Sequence, residues 1–124
     1  MKRTIFFLLS LSTIFMTMLA DNEQEAAINL QHKRPNDHIE HFLPFDQPDV
    51  FYNHFYQTII IDGDGAVDYY NVEIAPVSTF VPVISTQVSG YYDTIDVSSL
   101  SATVYVITIY SPEDNTYEGF FEIE

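Results

Sequence analysis

The chain has 124 residues, no cysteine and a formal net charge of −14, and it contains no Lys or Arg after Arg34 although fifteen Asp and Glu residues follow that position. A surface without cations cannot neutralise phosphates, so nucleic acid and anionic lipid are poor partners. Such a surface cannot hold a phosphate or carboxylate substrate through an Arg fork, and without cysteine there is neither a disulfide framework nor a lipid-anchored cysteine.

Residues 1–20 have the pattern of a secretory signal peptide. Lys2 and Arg3 form the charged start, residues 5–19 are apolar apart from Ser and Thr, and Ala20 is a small residue at the expected cleavage point. The alternative is a membrane anchor, but the apolar run is short for a bilayer core of about 30 Å. We therefore expect export to the periplasm or the cell exterior, with no membrane insertion after cleavage.

Residues 21–48 are polar, contain three of the six prolines and are predicted to be a flexible leader. Its aromatic end, with Phe42 and Phe45, is expected to dock on the domain that follows. Because only Lys33 and Arg34 oppose eighteen acidic residues after cleavage, the charge of the processed chain becomes about −16. An exported domain of this size without disulfides is more typical of a bacterium than of an animal.

Residues 49–124 are predicted to form one all-β domain. Val, Ile, Thr, Tyr and Phe dominate this region, and turn residues interrupt them at short intervals. Pro82 lies inside one predicted strand and favours an edge position for it, because proline cannot donate to a ladder. The predicted strands are 57–62, 68–74, 80–88, 94–97, 103–110 and 117–124, with one more drawn from 42–55. About seven strands at this spacing indicate an antiparallel sandwich.

Alternation along these strands predicts which side chains form the core. In the strand 68–74, Tyr70 and two apolar residues share one face, while Tyr69 lies on the other. In the last strand Phe121 points inward and Phe120 outward. Leu100 and Tyr105 together have the spacing of a tyrosine corner, in which the phenol bonds back to upstream backbone.

The end of the chain resembles a known family. The segments that carry the resemblance are 95–100 (IDVSSL), 103–109 (TVYVITI) and 118–123 (EGFFEI). They are similar to the three-part ending of small secreted immunoglobulin-like proteins of Bacteroides-type bacteria, a family known as a domain of unknown function. The resemblance implies an immunoglobulin-like sandwich and an exported location, and it implies no activity.

Asp62, Asp64 and Asp68 are the candidate metal ligands. Three carboxylates within seven residues suit calcium, which takes six to eight oxygen ligands. With Glu73 their spacing imitates a calcium-binding loop, but Val67 stands where that loop needs glycine and no helices flank it. The alternative is a solvated acidic turn. Apart from calcium, no cofactor is predicted.

Tyr69 and Phe120 are the outward-facing aromatic candidates for a binding surface, because neighbours in a strand face opposite sides. With Phe42 and Phe45 they could contact a protein or stack on a glycan. The alternative is cross-strand pairing on the solvent face without any ligand. The absence of Trp weighs against a carbohydrate-binding module.

The sequence contains no Gly-x-Ser-x-Gly elbow, no Cys nucleophile and no Gly-rich phosphate loop. It therefore predicts a non-enzymatic exported module that contacts a protein or a glycan. Two alternatives are a calcium-dependent binding module and a structural accessory subunit of an envelope assembly. The second would use an exposed sheet edge, either the strand that contains Pro82 or the C-terminal strand.

Overall fold

A computed structural model describes residues 25–33 and 45–124, so the predicted signal peptide and Phe42 lie outside the described residues. Nine strands occur in these ranges. Their bounds are β1 Glu25–Ala27, β2 Gln31–Lys33, β3 Asp49–Asn53, β4 Thr58–Asp62, β5 Tyr69–Pro76, β6 Ile84–Ser89, β7 Tyr92–Asp96, β8 Thr103–Tyr110 and β9 Thr116–Ile123. Within the same ranges, no helix is long and apolar enough to cross a bilayer.

The strands form two sheets in which every paired neighbour is antiparallel. One sheet has four strands in the order β1-β3-β4-β7, and the other has five in the order β2-β9-β8-β5-β6. The all-β antiparallel prediction is therefore confirmed. The seven strands predicted from the sequence correspond to β3–β9, and β1 and β2 are additional.

The core lies between the sheets and is built by the alternation of β4, β5, β8 and β9. The side chains predicted to face inward are buried, and those of Tyr70, Ile74, Ile107 and Tyr117 are completely so. Phe121 stacks on Tyr105 with 5.6 Å between the ring centroids. Burial of such rows is the main stabilising term for a domain without disulfides.

The N-terminal segment 25–33 belongs to the sandwich, although the sequence assigns it to the flexible leader. β1 pairs with β3, β2 pairs with β9, and the Ile28 amide between them donates to the Val50 carbonyl at 2.8 Å. The segment thus crosses from one sheet to the other. Gly119 permits this crossing, because a Cβ there would lie 2.6 Å from Cγ2 of Ile28.

The strand predicted over 80–88 begins only at Ile84. Pro82 has no amide to donate, and Phe80 has a left-handed backbone with φ of +56° that a strand cannot contain. The edge position predicted from Pro82 is confirmed, because β6 is the outermost strand of its sheet. The C-terminal strand β9 is not an edge over Thr116–Glu118, where β2 pairs with it.

Candidate interaction surface

The outer face of the five-stranded sheet carries an apolar row. Register places Ala75 opposite Val106, and Val106 opposite Phe120. Their neighbours Ile74, Ile107 and Phe121 belong to the core, so these three side chains point away from it. Ala75 and Val106 are almost fully covered, whereas the Phe120 ring is 54% exposed. Within this row Phe120 is therefore open to solvent, whereas Val106 and Ala75 are covered.

The segment Phe80–Val83 extends this row at the edge of the sheet. Its sequence is Phe-Val-Pro-Val, and Phe80, Val81 and Val83 are 64%, 62% and 52% exposed. Val83 lies beside the row because its amide donates to the carbonyl of Ile74 at 2.8 Å. We call the row Ala75, Val106 and Phe120 together with Phe80–Val83 the apolar patch. Exposed apolar side chains grouped on one face in this way mark interaction sites on monomeric proteins.

Phe80 keeps its exposed ring in place through an unfavourable backbone conformation. Its φ of +56° is left-handed, which costs an L-residue with a bulky side chain about 1–2 kcal/mol. The conformation is held by a hydrogen bond of 2.8 Å from the Phe80 amide to the Pro76 carbonyl. Strain of this kind is common at positions where function requires a particular presentation.

The four aromatic candidates from the sequence do not form one surface. Phe120 lies in the apolar patch. Tyr69 also faces outward, but it lies at the opposite end of β5, opposite Ser89. Six residues of strand separate it from Ala75, a distance of roughly 20 Å. Phe45 is exposed in the turn before β3, away from the row, and Phe42 lies outside the described residues.

The acidic segment between β4 and β5 connects the two sheets and is not a hairpin. Asp64 and Asp68 are exposed, and Asp62 accepts a hydrogen bond from the Asp64 amide at 3.1 Å. Among residues 25–33 and 45–124, no three His, Asp or Glu side chains are grouped so that they could hold a metal ion. The structure thus does not bring Asp62, Asp64 and Asp68 together, and calcium binding by this segment stays a prediction.

A buried carboxylate, Asp46, was not predicted from the sequence. It accepts hydrogen bonds from the hydroxyls of Ser111 and Tyr117 and from the Asn115 amide, the last at 3.0 and 3.1 Å from its two oxygens. Its backbone carbonyl accepts a further bond of 2.7 Å from the Tyr70 hydroxyl. Asp46 therefore anchors the segment before β3, whereas Phe45, one of the two rings predicted to dock on the domain, is exposed.

The Asp46 cluster determines the ionisation of its members. Burial on its own raises the pKa of Asp46, but the hydrogen bonds from Ser111, Tyr117 and Asn115 outweigh it and hold that pKa below its ordinary value of 3.8. Burial and the nearby carboxylate raise the pKa of Tyr70 to about 12, and burial and the bond to Asp46 raise the pKa of Tyr117 as well. The cluster is an anionic anchor inside the fold.

The sequence contains a weak signal for the apolar patch and no local signal for the Asp46 cluster. The run Phe-Val-Pro-Val is visible at residues 80–83, yet alternation suggests a strand that would bury part of it. Asp46 is separated from its partner Tyr117 by 71 residues, so no local pattern connects them. The apolar patch and the Asp46 cluster can be recognised only when the strand register is known.

Two antiparallel sheets packed face to face define a β-sandwich, and Phe80–Val83 and Phe120 expose apolar side chains on it. No protein-family model and no curated protein matches this sequence. Among solved structures, the chain is similar to a DUF3244 family protein with an immunoglobulin-like β-sandwich fold from Bacteroides vulgatus. The identity is 14%, the TM-score is 0.63, and the match covers 81% of this chain and 99% of that chain.

This likeness confirms the predicted immunoglobulin-like fold. It also supports the predicted resemblance to a Bacteroides family of unknown function, since the solved protein comes from such a family. An immunoglobulin-like sandwich is not a typical enzyme fold. Function must therefore be argued from the surfaces of the domain.

Proposed function

We propose that the protein is an exported, non-enzymatic immunoglobulin-like module that binds a protein partner through the apolar patch. The observation that carries the proposal is the exposure of Phe80–Val83 and of Phe120 on the same sheet face, on either side of the covered pair Ala75 and Val106. A domain that depends on its core alone has no structural need to expose four consecutive residues of this kind. Contact with a partner provides a reason for them.

The chemistry of the patch favours a protein over a glycan. Its exposed side chains are aliphatic and aromatic and offer no hydrogen-bonding group, whereas a sugar requires many polar contacts. Glu73, Glu118 and Glu122 lie on the same sheet face around it. Within the described residues the only Lys or Arg is Lys33, which is paired with Glu118 at 3.3 Å. The partner is therefore expected to offer an apolar recess with a basic rim.

The test is capture of an envelope protein by the immobilised protein and by single variants. Phe120→Ser and Val83→Ser remove exposed rings or methyls from the patch and should abolish capture. Tyr69→Ser removes an exposed ring at the far end of the sheet and should leave capture intact. Thermal melts of all three variants check that the fold is retained.

Two results would contradict the proposal. One is a partner that binds wild type and Phe120→Ser equally well, and the other is equal loss with Tyr69→Ser. A second measurement, the salt dependence of capture, should show weaker binding at high ionic strength if the partner has a basic rim.

The open edge of β6 favours a second candidate function, that of an accessory subunit in an envelope assembly. Among the strands of the described ranges, β6 pairs only with β5, and the Phe80–Val83 segment leads directly into it. A strand from another chain could extend the sheet there. Substituting Gln87, an exposed position whose amide faces the open edge, by proline should then prevent assembly, while Phe120→Ser would have little effect. The two variants thus separate edge addition from binding at the patch.

A further inference from the structure

The outer face of the four-stranded sheet carries a separate groove of about 690 Å³, on the side of the molecule opposite the apolar patch. Register places one polar residue from each strand in a single row beneath it. Glu25 lies opposite Asn53, Asn53 opposite Thr58, and Thr58 opposite Asp96. A complete polar row across all four strands provides hydrogen-bonding groups along a line perpendicular to the strands.

Asn53 is the central donor of this row. It is 93% buried, and its Oδ1 accepts hydrogen bonds of 3.0 Å from the amides of both Phe55 and Tyr56, which fixes the orientation of the side-chain amide. Nothing among residues 25–33 and 45–124 accepts a hydrogen bond from its Nδ2. Asn53 lines the groove, so a preorganised donor faces the space that a ligand would occupy.

Two exposed rings and an apolar floor complete the groove. Tyr56 stands in the β3–β4 turn and packs edge to face on Phe55, with 4.8 Å between ring centroids. Tyr92 begins β7, and Ile60 lies in the sheet between the polar row and Tyr92. Thr58 and Asp62, which flank Ile60 in β4, are four residues apart, so the lined face extends roughly 14 Å along the strands. This length exceeds that of a single sugar ring.

We propose that this groove binds a neutral glycan. Sugar hydroxyls donate to carboxylates and accept from amides, and Asn53 and Thr58 supply donor and acceptor groups at the centre of the row. The apolar faces of sugar rings pack on aromatic rings, here Tyr56 and Tyr92 in place of the missing Trp. The site is independent of the proposed protein-binding patch.

The charged residues of the groove favour a neutral glycan over an acidic one. Glu25 and Asp96 are the charged residues that line the groove, so an acidic sugar would meet repulsion without compensation. The two carboxylates lie on the outermost strands of the sheet, three strand spacings or roughly 14 Å apart. They are too far apart to enclose one cation between them, and the residues at the centre are neutral. A neutral ligand with many hydroxyls therefore fits better than a basic one.

The test is calorimetric titration of the purified full-length chain with neutral hexasaccharides built from glucose, mannose or xylose. Hexagalacturonate serves as the acidic probe and hexalysine as the basic probe. Tyr92→Ala removes an exposed ring, and Asn53→Asp keeps the acceptor used by the turn while replacing the donor. Each variant should weaken binding by about tenfold or more. Phe120→Ser on the opposite sheet should bind the sugar as wild type does.

Binding of at least one neutral hexasaccharide, with loss in Tyr92→Ala, would support the proposal. Absence of binding by all three neutral sugars, or equal binding by Tyr92→Ala, would overturn it. Binding of hexalysine or hexagalacturonate alone would overturn it too. If Asn53→Asp fails to fold, Tyr92→Ala remains decisive because that ring is exposed. Failure of the glycan site would leave envelope-protein capture at Phe120 unaffected, so the two proposals can fail separately.

Discussion

The hydroxyl of Tyr105 donates a hydrogen bond of 2.7 Å to the backbone carbonyl of Ser101, four residues upstream. This is the tyrosine corner predicted from the sequence, and Leu100 beside it packs partly buried on the core. Removing the hydroxyl by Tyr105→Phe should lower the free energy of unfolding by about 1 kcal/mol, the usual value of one such bond. Denaturant melts of wild type and Tyr105→Phe measure this change in the free energy of unfolding.

Tyr110→Phe is the matched control for the corner. Its hydroxyl also donates a hydrogen bond, to Glu73 at 3.1 Å, but on the solvent face where water replaces the partner. The free energy of unfolding of Tyr110→Phe is expected to lie within about 0.5 kcal/mol of the wild-type value. Equal stability of the two variants would show that the Tyr105 bond contributes nothing special to the fold.

Asp46→Asn should destabilise the protein by about 2 kcal/mol or more. The substitution replaces one acceptor oxygen with a donor that faces the hydroxyls of Ser111 and Tyr117, and a buried donor is left without a partner. Asp64→Asn is the control, because Asp64 is exposed and its φ of +54° suits asparagine. Urea melts that place both variants at the wild-type midpoint would contradict the anchoring role.

Asp46 should also contribute to acid sensitivity. Since its folded pKa lies below the ordinary 3.8, its carboxylate stabilises the fold above that pH, and the contribution is lost as pH falls through the lower folded value. The difference in unfolding free energy between wild type and Asp46→Asn should therefore be constant above about pH 5 and shrink below about pH 4. A difference that stays constant down to about pH 2 would show that the pKa is not linked to folding.

Phe80→Gly should leave stability unchanged or raise it by up to about 1 kcal/mol, because glycine adopts positive φ without strain and the ring buries little surface. The same variant should weaken partner capture. Val81→Gly is the control, an exposed neighbour without positive φ, and should lose about 0.5–1 kcal/mol. A Phe80→Gly variant that melts below Val81→Gly would argue against stored strain.

Gly119→Ala should release the N-terminal strands from the sandwich. The added Cβ would lie 2.6 Å from Ile28 Cγ2 and 3.0 Å from the Asn29 carbonyl, so the crossing segment must move. Hydrogen exchange should then lose protection at the Ile28 amide, which bonds to Val50 in wild type, while β5 and β8 stay protected. Uniform loss of protection would mean that the alanine unfolds the whole domain instead.

The parts of the fold that sequence could predict are those in which alternation and β-propensity agree. β5, β8 and β9 are eight residues long, are rich in β-branched and aromatic residues, and bury every second side chain in the core, and the predicted bounds lie within two residues of the observed ones. β1 and β2 have three residues each, Glu-Ala-Ala and Gln-His-Lys, with no apolar alternation. They form strands because they pair with β3 and β9, and no local sequence pattern predicts that pairing.

The candidate surfaces also contain one part that alternation predicts and another that depends on strand pairing. Alternation alone predicts that Phe120 points outward, and this was correct. Which side chains lie beside it depends on the register of β8 and β5, and the polar row through Asn53 depends on the pairing of four strands. The pairing between strands distant in sequence could not be predicted, so the side chains that share each surface are known only from the structure.

The crossing of residues 25–33 between the sheets has a consequence for proteolysis. Lys33 ends β2, and since Arg34 is followed by Pro35, the bond after Lys33 is the last in the chain that a trypsin-like enzyme cuts readily. One cleavage there would turn β1 and β2 into a short peptide held without a covalent link, by backbone pairing to β3 and β9 and by the burial of Ile28 in the core. The 90 residues after Arg34 contain no Lys or Arg and so give such an enzyme no further site, folded or unfolded. A nicked molecule could then exchange its terminal peptide for that of another copy.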